Sequence, residues 1–179
     1  MKNLPGWPNF SKEEIQGVSR VLSSNKVNYW TGNECREFEK EFSDWTGANF
    51  SIALSNGTVA LDLALLSLGI SSSDEVIVTP RSFIASASSV VNIGAKPIFS
   101  DIDCLTGNIT ARHIEEKITK KTKAIICVHL GGLPCEMDEI MKLAKKYKLF
   151  VIEDCAQAHG ATYKGKSVGT IGDVGTWSF

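Results

Sequence analysis

From residue 50 onward the sequence alternates short runs rich in isoleucine and valine with longer segments of helical spacing, and no other feature constrains the fold as tightly. The runs fall at 51–54, 75–79, 97–100, 124–128, 150–153 and 174–178. Short, uniformly apolar runs suit strands covered on both faces. Helices are expected between them at 57–69, 82–93, 111–120 and 136–147, with Thr110 capping the third. Met137, Ile140, Met141, Ala144 and Tyr147 make the apolar face of the fourth. This alternation predicts an α/β fold with a mostly parallel sheet, right-handed crossovers and helices on both faces, hence three layers. Ligands in such sheets bind beyond the carboxyl ends of the strands, so the residues just after each strand are the ones to inspect.

Ahead of the alternation, residues 1–10 read as an extended arm with Pro5, Gly6 and Pro8. Ser11 and Glu14 have the spacing of a capping box, and Ile15, Val18 and Leu22 follow at helical spacing. Residues 28–32 read as a loop. A second helix carries Phe38, Phe42 and Trp45 on one face and ends near Gly47. The apolar runs are too short to span a bilayer, and the N-terminus lacks the apolar segment of a signal peptide, so a cytoplasmic address is expected. A net charge of -1 gives no electrostatic case for nucleic acid or an anionic membrane. The five cysteines are odd in number and none has C-x-x-C spacing, which argues against a disulfide framework or a metal site. Three lie in or beside apolar segments and read as buried reduced thiols.

Ser55-Asn56-Gly57-Thr58 precedes a strongly apolar helix. On its own it reads first as an ordinary capped helix start, and second as an anion site at a helix N-terminus. Phe83, after the second run, suits a ring stacked on a planar ligand, although on its own it reads first as a core residue. His129, after the fourth run, reads first as a satisfied structural group. Glu153-Asp154, after the fifth run, brings carboxylates to a sheet end, where burial is costly unless the charge is paired. A protonated heteroaromatic nitrogen is one suitable partner; a helix cap or a salt bridge are the others.

Four stretches taken together are similar to the DegT-type sugar aminotransferases, fold-type-I enzymes that use pyridoxal phosphate (PLP). They are Ser55-Asn56-Gly57-Thr58-Val59-Ala60-Leu61, Asp74-Glu75-Val76-Ile77-Val78, the segment from Val151 to Gly160, and the segment from Gly172 to Phe179. The resemblance runs from about Trp7 to Phe179 and implies an incomplete large domain of the fold-type-I class: residues 1–25 an arm and helix, 26–179 part of the PLP-binding domain, and a C-terminal small domain absent. It implies that Gly57 and Thr58 form a phosphate-binding turn and that Phe83 stacks on the pyridine ring. Asp154 pairs with the ring nitrogen, Gln157 lies near the ring hydroxyl, and Ser178 is a second phosphate ligand. Trp30, Thr31 and His159 belong to the sugar pocket. It implies amino transfer from glutamate to a keto carbon of a nucleotide-linked sugar, in surface polysaccharide or glycan synthesis, by a homodimer.

The resemblance also implies a lysine that holds PLP as a Schiff base, five residues after the position of Ser178. That position falls beyond Phe179, so no catalytic residue is assigned within these 179 residues. The rivals are a PLP-family sugar dehydratase with histidine at that position, and a non-catalytic remnant or binding module of the same fold. Residues 1–179 alone are expected to form no stable, stoichiometric PLP adduct on one lysine. Borohydride reduction followed by peptide mapping checks this, and a single specifically labelled lysine would refute it.

Overall fold

The computed structural model describes residue 6 and residues 8–179, so Pro5 and Trp7 of the expected arm lie outside the described residues. Helix α1 spans Lys12–Ser23 and opens with the expected capping box: the Ser11 hydroxyl accepts from the Glu14 amide, and the Glu14 carboxylate accepts from the Ser11 amide. None of its residues is buried, and Ile15, Val18 and Leu22 form an exposed apolar stripe. Helix α2 spans Glu34–Thr46 and ends at Gly47 in the left-handed region. Helix α3 spans Gly57–Ser67, followed by strand β1 (Glu75–Val78), α4 (Ala85–Asn92) and β2 (Lys96–Phe99). Next come α5 (Ala111–Glu115), capped by the Thr110 hydroxyl, β3 (Thr122–Val128), α6 (Met137–Tyr147) and β4 (Phe150–Asp154). A two-stranded ribbon, β5 (Thr162–Tyr163) with β6 (Lys166–Ser167), leads to β7 (Val174–Thr176).

The main sheet has the order β2-β1-β3-β4-β7, and every pairing in it is parallel. Strand alternation sorts side chains onto two faces. Val76, Val78, Ala124, Ile126, Val128 and Ile152 pack with Leu61, Leu65 and Val90 beneath α3 and α4. Ile77, Ile125, Cys127 and Val151 pack on the other face with Ile114, Met137, Ile140 and Leu143 of α5 and α6. The expected three layers are therefore present. On α6 Leu143 is buried, whereas Tyr147 is more exposed and its hydroxyl donates to Glu115 at 2.8 Å.

One expected strand does not form. Residues 51–54 carry no ladder. A strand needs a neighbouring edge, and this segment is instead held by α2: the Ser51 hydroxyl donates to the Glu39 carbonyl, and the Ala53 amide donates to Glu39 Oε1 at 2.9 Å. A cleft of about 630 Å³, lined by residues 51–56 and 172–179, lies alongside it.

Glu153, near the end of β4, is wholly enclosed. Its Oε1 accepts from the amides of Ile171 (2.8 Å) and Gly172 (2.7 Å), and its Oε2 from His129 Nε2 (3.0 Å) and the Gly169 amide (2.8 Å). The Cys135 amide donates to His129 Nδ1 at 3.1 Å, so that nitrogen carries a lone pair and the proton sits on Nε2. Burial pushes the Glu153 pKa up, but the donors, His129, Gly172 and Gly169, outweigh it and hold the carboxyl below the ordinary value of 4.5. Its stabilising contribution is therefore present above pH 4.5 and lost as pH falls through the lowered folded value. Glu153→Gln would set an amide NH2 against two of the four donors and remove the charge, and should destabilise the fold by about 3 kcal/mol. Thermal unfolding followed by circular dichroism from neutral to acid pH should show the loss largest at neutral pH and shrinking below the folded pKa.

Candidate functional site

Beyond the carboxyl ends of β1, β4 and β7, three segments converge on the α3–α4 face of the sheet. Asp154 ends β4 and is paired in register with Thr176 of β7, so the two share a face. Ser178 lies two residues further along the same alternation. Asn56 caps α3, its side chain accepting from the Val59 amide at 3.0 Å, and Gly57 begins the helix. A Cβ at Gly57 would lie 2.8 Å from Ser178 Cβ and 3.2 Å from its Oγ. Only glycine allows this approach, which sets the Ser178 hydroxyl against the first turn of α3. The amides of Gly57 and Thr58 belong to that turn and have no carbonyl four residues earlier to serve, the usual state of a helix start. Helix N-termini with a neighbouring hydroxyl suit an anion.

Ser178 is held there by its neighbours in sequence. Trp177 and Phe179 point to the side of α2, where Phe42 meets their rings edge-on at 5.1 and 5.7 Å. Phe38 adds a further edge contact with Phe179 at 5.3 Å. Gly169, at φ +83°, leaves room for the Trp177 indole, which would lie 2.0 Å from any Cβ there.

Asp154 is 7% exposed. Its Oδ2 accepts from the Ser86 hydroxyl at 2.8 Å and its Oδ1 from the Ala156 amide at 3.2 Å. No cation is within ion-pair range of it among the described residues. An ionised carboxylate offers about four acceptor positions, so Asp154 retains capacity for a further donor. Glu153, with its four donors, does not.

The other expected residues are placed as follows. Phe83 is 68% exposed, beside Ile84 in the turn leading to α4, so its reading as a core residue is corrected: the turn carries it out of the sheet instead of under it. Gln157 Oε1 accepts from the Gly131 amide at 2.8 Å, which leaves its NH2 group as a donor. The His159 ring meets Phe179 at 4.9 Å. Trp30 is 85% exposed, with its ring against Tyr29. The Thr31 hydroxyl is bound to Asn28 within its own turn at 3.1 Å. The described contacts thus join Gly57 to Ser178 and α4 to Asp154, while those of Trp30 and Thr31 are local.

His129, Glu153 and Cys155 have ligand-type atoms within 4.8 Å of one another, but they do not suit a metal. The carboxylate is saturated by its donors, and His129 uses both ring nitrogens. Burial pushes the Cys155 thiol far up, and Glu153 and Asp154 add to that; burial and Glu153 push Cys135 to about 12. These thiols stay protonated and unreactive. Sequence reasoning missed two residues of the neighbourhood, Ser82 and Ser86. Their spacing of four, one helical turn, was the available signal. Among the described residues no helix is long and apolar enough to cross a membrane.

The chain matches the model of the DegT/DnrJ/EryC1/StrS aminotransferase family over residues 8–179. It is 49% identical to a GDP-perosamine synthase of Escherichia coli O157:H7, over 100% of this chain and 49% of the relative. It is 46% identical to a dTDP-3-amino-3,6-dideoxy-alpha-D-galactopyranose transaminase of Aneurinibacillus thermoaerophilus, over 95% of this chain and 46% of that one. Among solved structures, an aminotransferase from Psychrobacter cryohalolentis superposes with a TM-score of 0.96 at 64% identity, over 98% of this chain and 44% of that chain. The chain thus spans about half the length of the relatives it matches. Gly57→Ala should push Ser178 off the α3 turn and weaken binding of pyridoxal phosphate by about tenfold, the worth of one hydrogen bond to a charged group. Fluorescence titration checks this, and unchanged affinity would refute the anion role of the turn.

Proposed function

The chain belongs to the DegT/DnrJ/EryC1/StrS aminotransferase family, and from that premise we propose a PLP-dependent aminotransferase. It moves an amino group from glutamate to a keto carbon of a nucleotide-linked sugar and so supplies surface polysaccharide or glycan synthesis. Pyridoxal phosphate is the cofactor that the family implies. The observation that carries the reading is Asp154: a carboxylate almost closed off from water, held by two neutral donors and unmatched by any cation among the described residues. Burying a lone charge is costly, and a protonated ring nitrogen would supply both the missing charge and a hydrogen-bond donor.

When bound, the cofactor would supply an electron sink for amino transfer. The chain's own residues have the following parts in the proposal. Asp154 accepts the hydrogen bond of the ring N–H and keeps that proton in place. The amides of Gly57 and Thr58, with the hydroxyls of Thr58 and Ser178, bind the phosphate. Phe83 covers a ring face, and its present exposure leaves it free to do so. The free NH2 of Gln157 donates to the ring hydroxyl. Trp30, Thr31 and His159 orient the sugar. The proposal includes an arm and helix at 1–25, a large-domain part at 26–179, a further small domain, and a homodimer with shared active sites.

The protein expressed from the complete reading frame, given PLP, glutamate and a nucleotide-linked keto sugar, should release 2-oxoglutarate and an amino sugar detectable by mass spectrometry. Asp154→Ala should lower the rate by about 10- to 1000-fold, the range over which a neighbouring charge shifts an ionisation equilibrium. Amino transfer unaffected by that change would overturn the assignment of Asp154, and no amino transfer to any keto sugar would overturn the activity.

A further inference from the structure

We propose that Ser86, backed by Ser82, is a positioning residue that aims the Asp154 carboxylate at the cofactor's ring nitrogen; this rests on the reading of Asp154 given above. Ser86 lies on α4, 68 positions from Asp154 in sequence, and is 1% exposed. Its hydroxyl donates to Asp154 Oδ2 at 2.8 Å, and its oxygen lies 2.7 Å from the Ser82 oxygen. A serine hydroxyl has one hydrogen. With that hydrogen on Asp154, the second contact must run from the Ser82 hydroxyl to the Ser86 oxygen. Both bonds therefore point toward the carboxylate, and each polarises the next.

Two bonds from different elements then fix the Asp154 side chain. Oδ2 is tied to α4 and Oδ1 to the Ala156 amide in the chain's own turn. Both donors are neutral. They orient the carboxylate without cancelling its charge, whereas an arginine or lysine there would compete with a cationic ring. The relay also joins two parts of the candidate site. The Ser86 amide donates to the Phe83 carbonyl at 3.2 Å, so the turn presenting Phe83 and the hydroxyl steering Asp154 belong to one helical start.

Helix α4 contains its own control. Ser89 is fully buried, one turn beyond Ser86, and its hydroxyl has no partner among the described residues. Ser89→Ala removes a buried hydroxyl from the same helix without touching Asp154. The test uses the protein from the complete reading frame and PLP labelled with nitrogen-15 in the ring. Affinity is read by fluorescence, and ring protonation by the nitrogen chemical shift. Ser86→Ala should weaken binding about tenfold and move the shift toward the unprotonated ring. Ser86→Thr, which keeps the donor, should restore both, and Ser89→Ala should change neither.

Wild-type affinity and shift in Ser86→Ala, with both lost in Asp154→Ala, would overturn the proposal and leave the reading of Asp154 standing. No change in either variant would overturn both. Should Ser86→Ala fail to fold, Ser82→Ala carries the test from the far end of the relay. A smaller shift in the same direction supports the proposal, and an unmoved resonance overturns it.

Discussion

Glu153 accepts four hydrogen bonds while wholly shut off from water, and the carboxyl end of the sheet closes around that ionised group. Its donors come from the turn after β3 and from the four-residue stretch 169–172 that feeds β7. Neither can move off without leaving a buried charge short of partners, which is among the costliest defects a core can hold. The position of β7, and with it that of Ser178, is thereby fixed from the α5–α6 side of the sheet.

A second set of contacts fixes it again. Trp177 and Phe179 lock onto the aromatic face of α2, so the residue between them must point the other way, against Gly57. Strand alternation converts a hydrophobic contact on one face into the placement of a hydroxyl on the other. The arrangement needs both glycines named above: one for the indole at 169 and one for the serine at 57. In each case a small residue in one segment is matched to a large or polar one in another, a relation that single-sequence periodicity does not display.

The periodic part of the fold was legible in the sequence for a physical reason. Five of the six apolar runs became parallel strands; the three central ones are buried almost throughout, and such burial leaves a compositional mark. The run at 51–54 has the same composition but no ladder, since pairing depends on a neighbouring edge and composition does not report one. The capping residues Ser11, Asn56 and Thr110 were readable because a cap is a local bargain between a side chain and its own helix. Ser86 was not, because its partner stands 68 residues away. Phe83 misled for a related reason: aromatic residues are usually buried, but the turn before α4 sets this one outward.

Adjacent carboxylates at the end of one strand have been given opposite surroundings. Glu153 faces α6 and the connection to β7, and its acceptor capacity is filled by the protein. Asp154 faces α3 and α4, where two neutral donors steer it and part of its capacity stays open. Saturation makes the first a structural ion whose loss unravels the connection to β7. Incomplete saturation makes the second an unmet demand for a cationic donor, located where the helix start at Gly57 and the hydroxyl of Ser178 suit an anion. A ligand that carries a protonated ring nitrogen at one end and a phosphate at the other meets both demands at once. Neither a lone anion nor a lone cation would, and that complementarity is why we propose this sheet end as the cofactor's site.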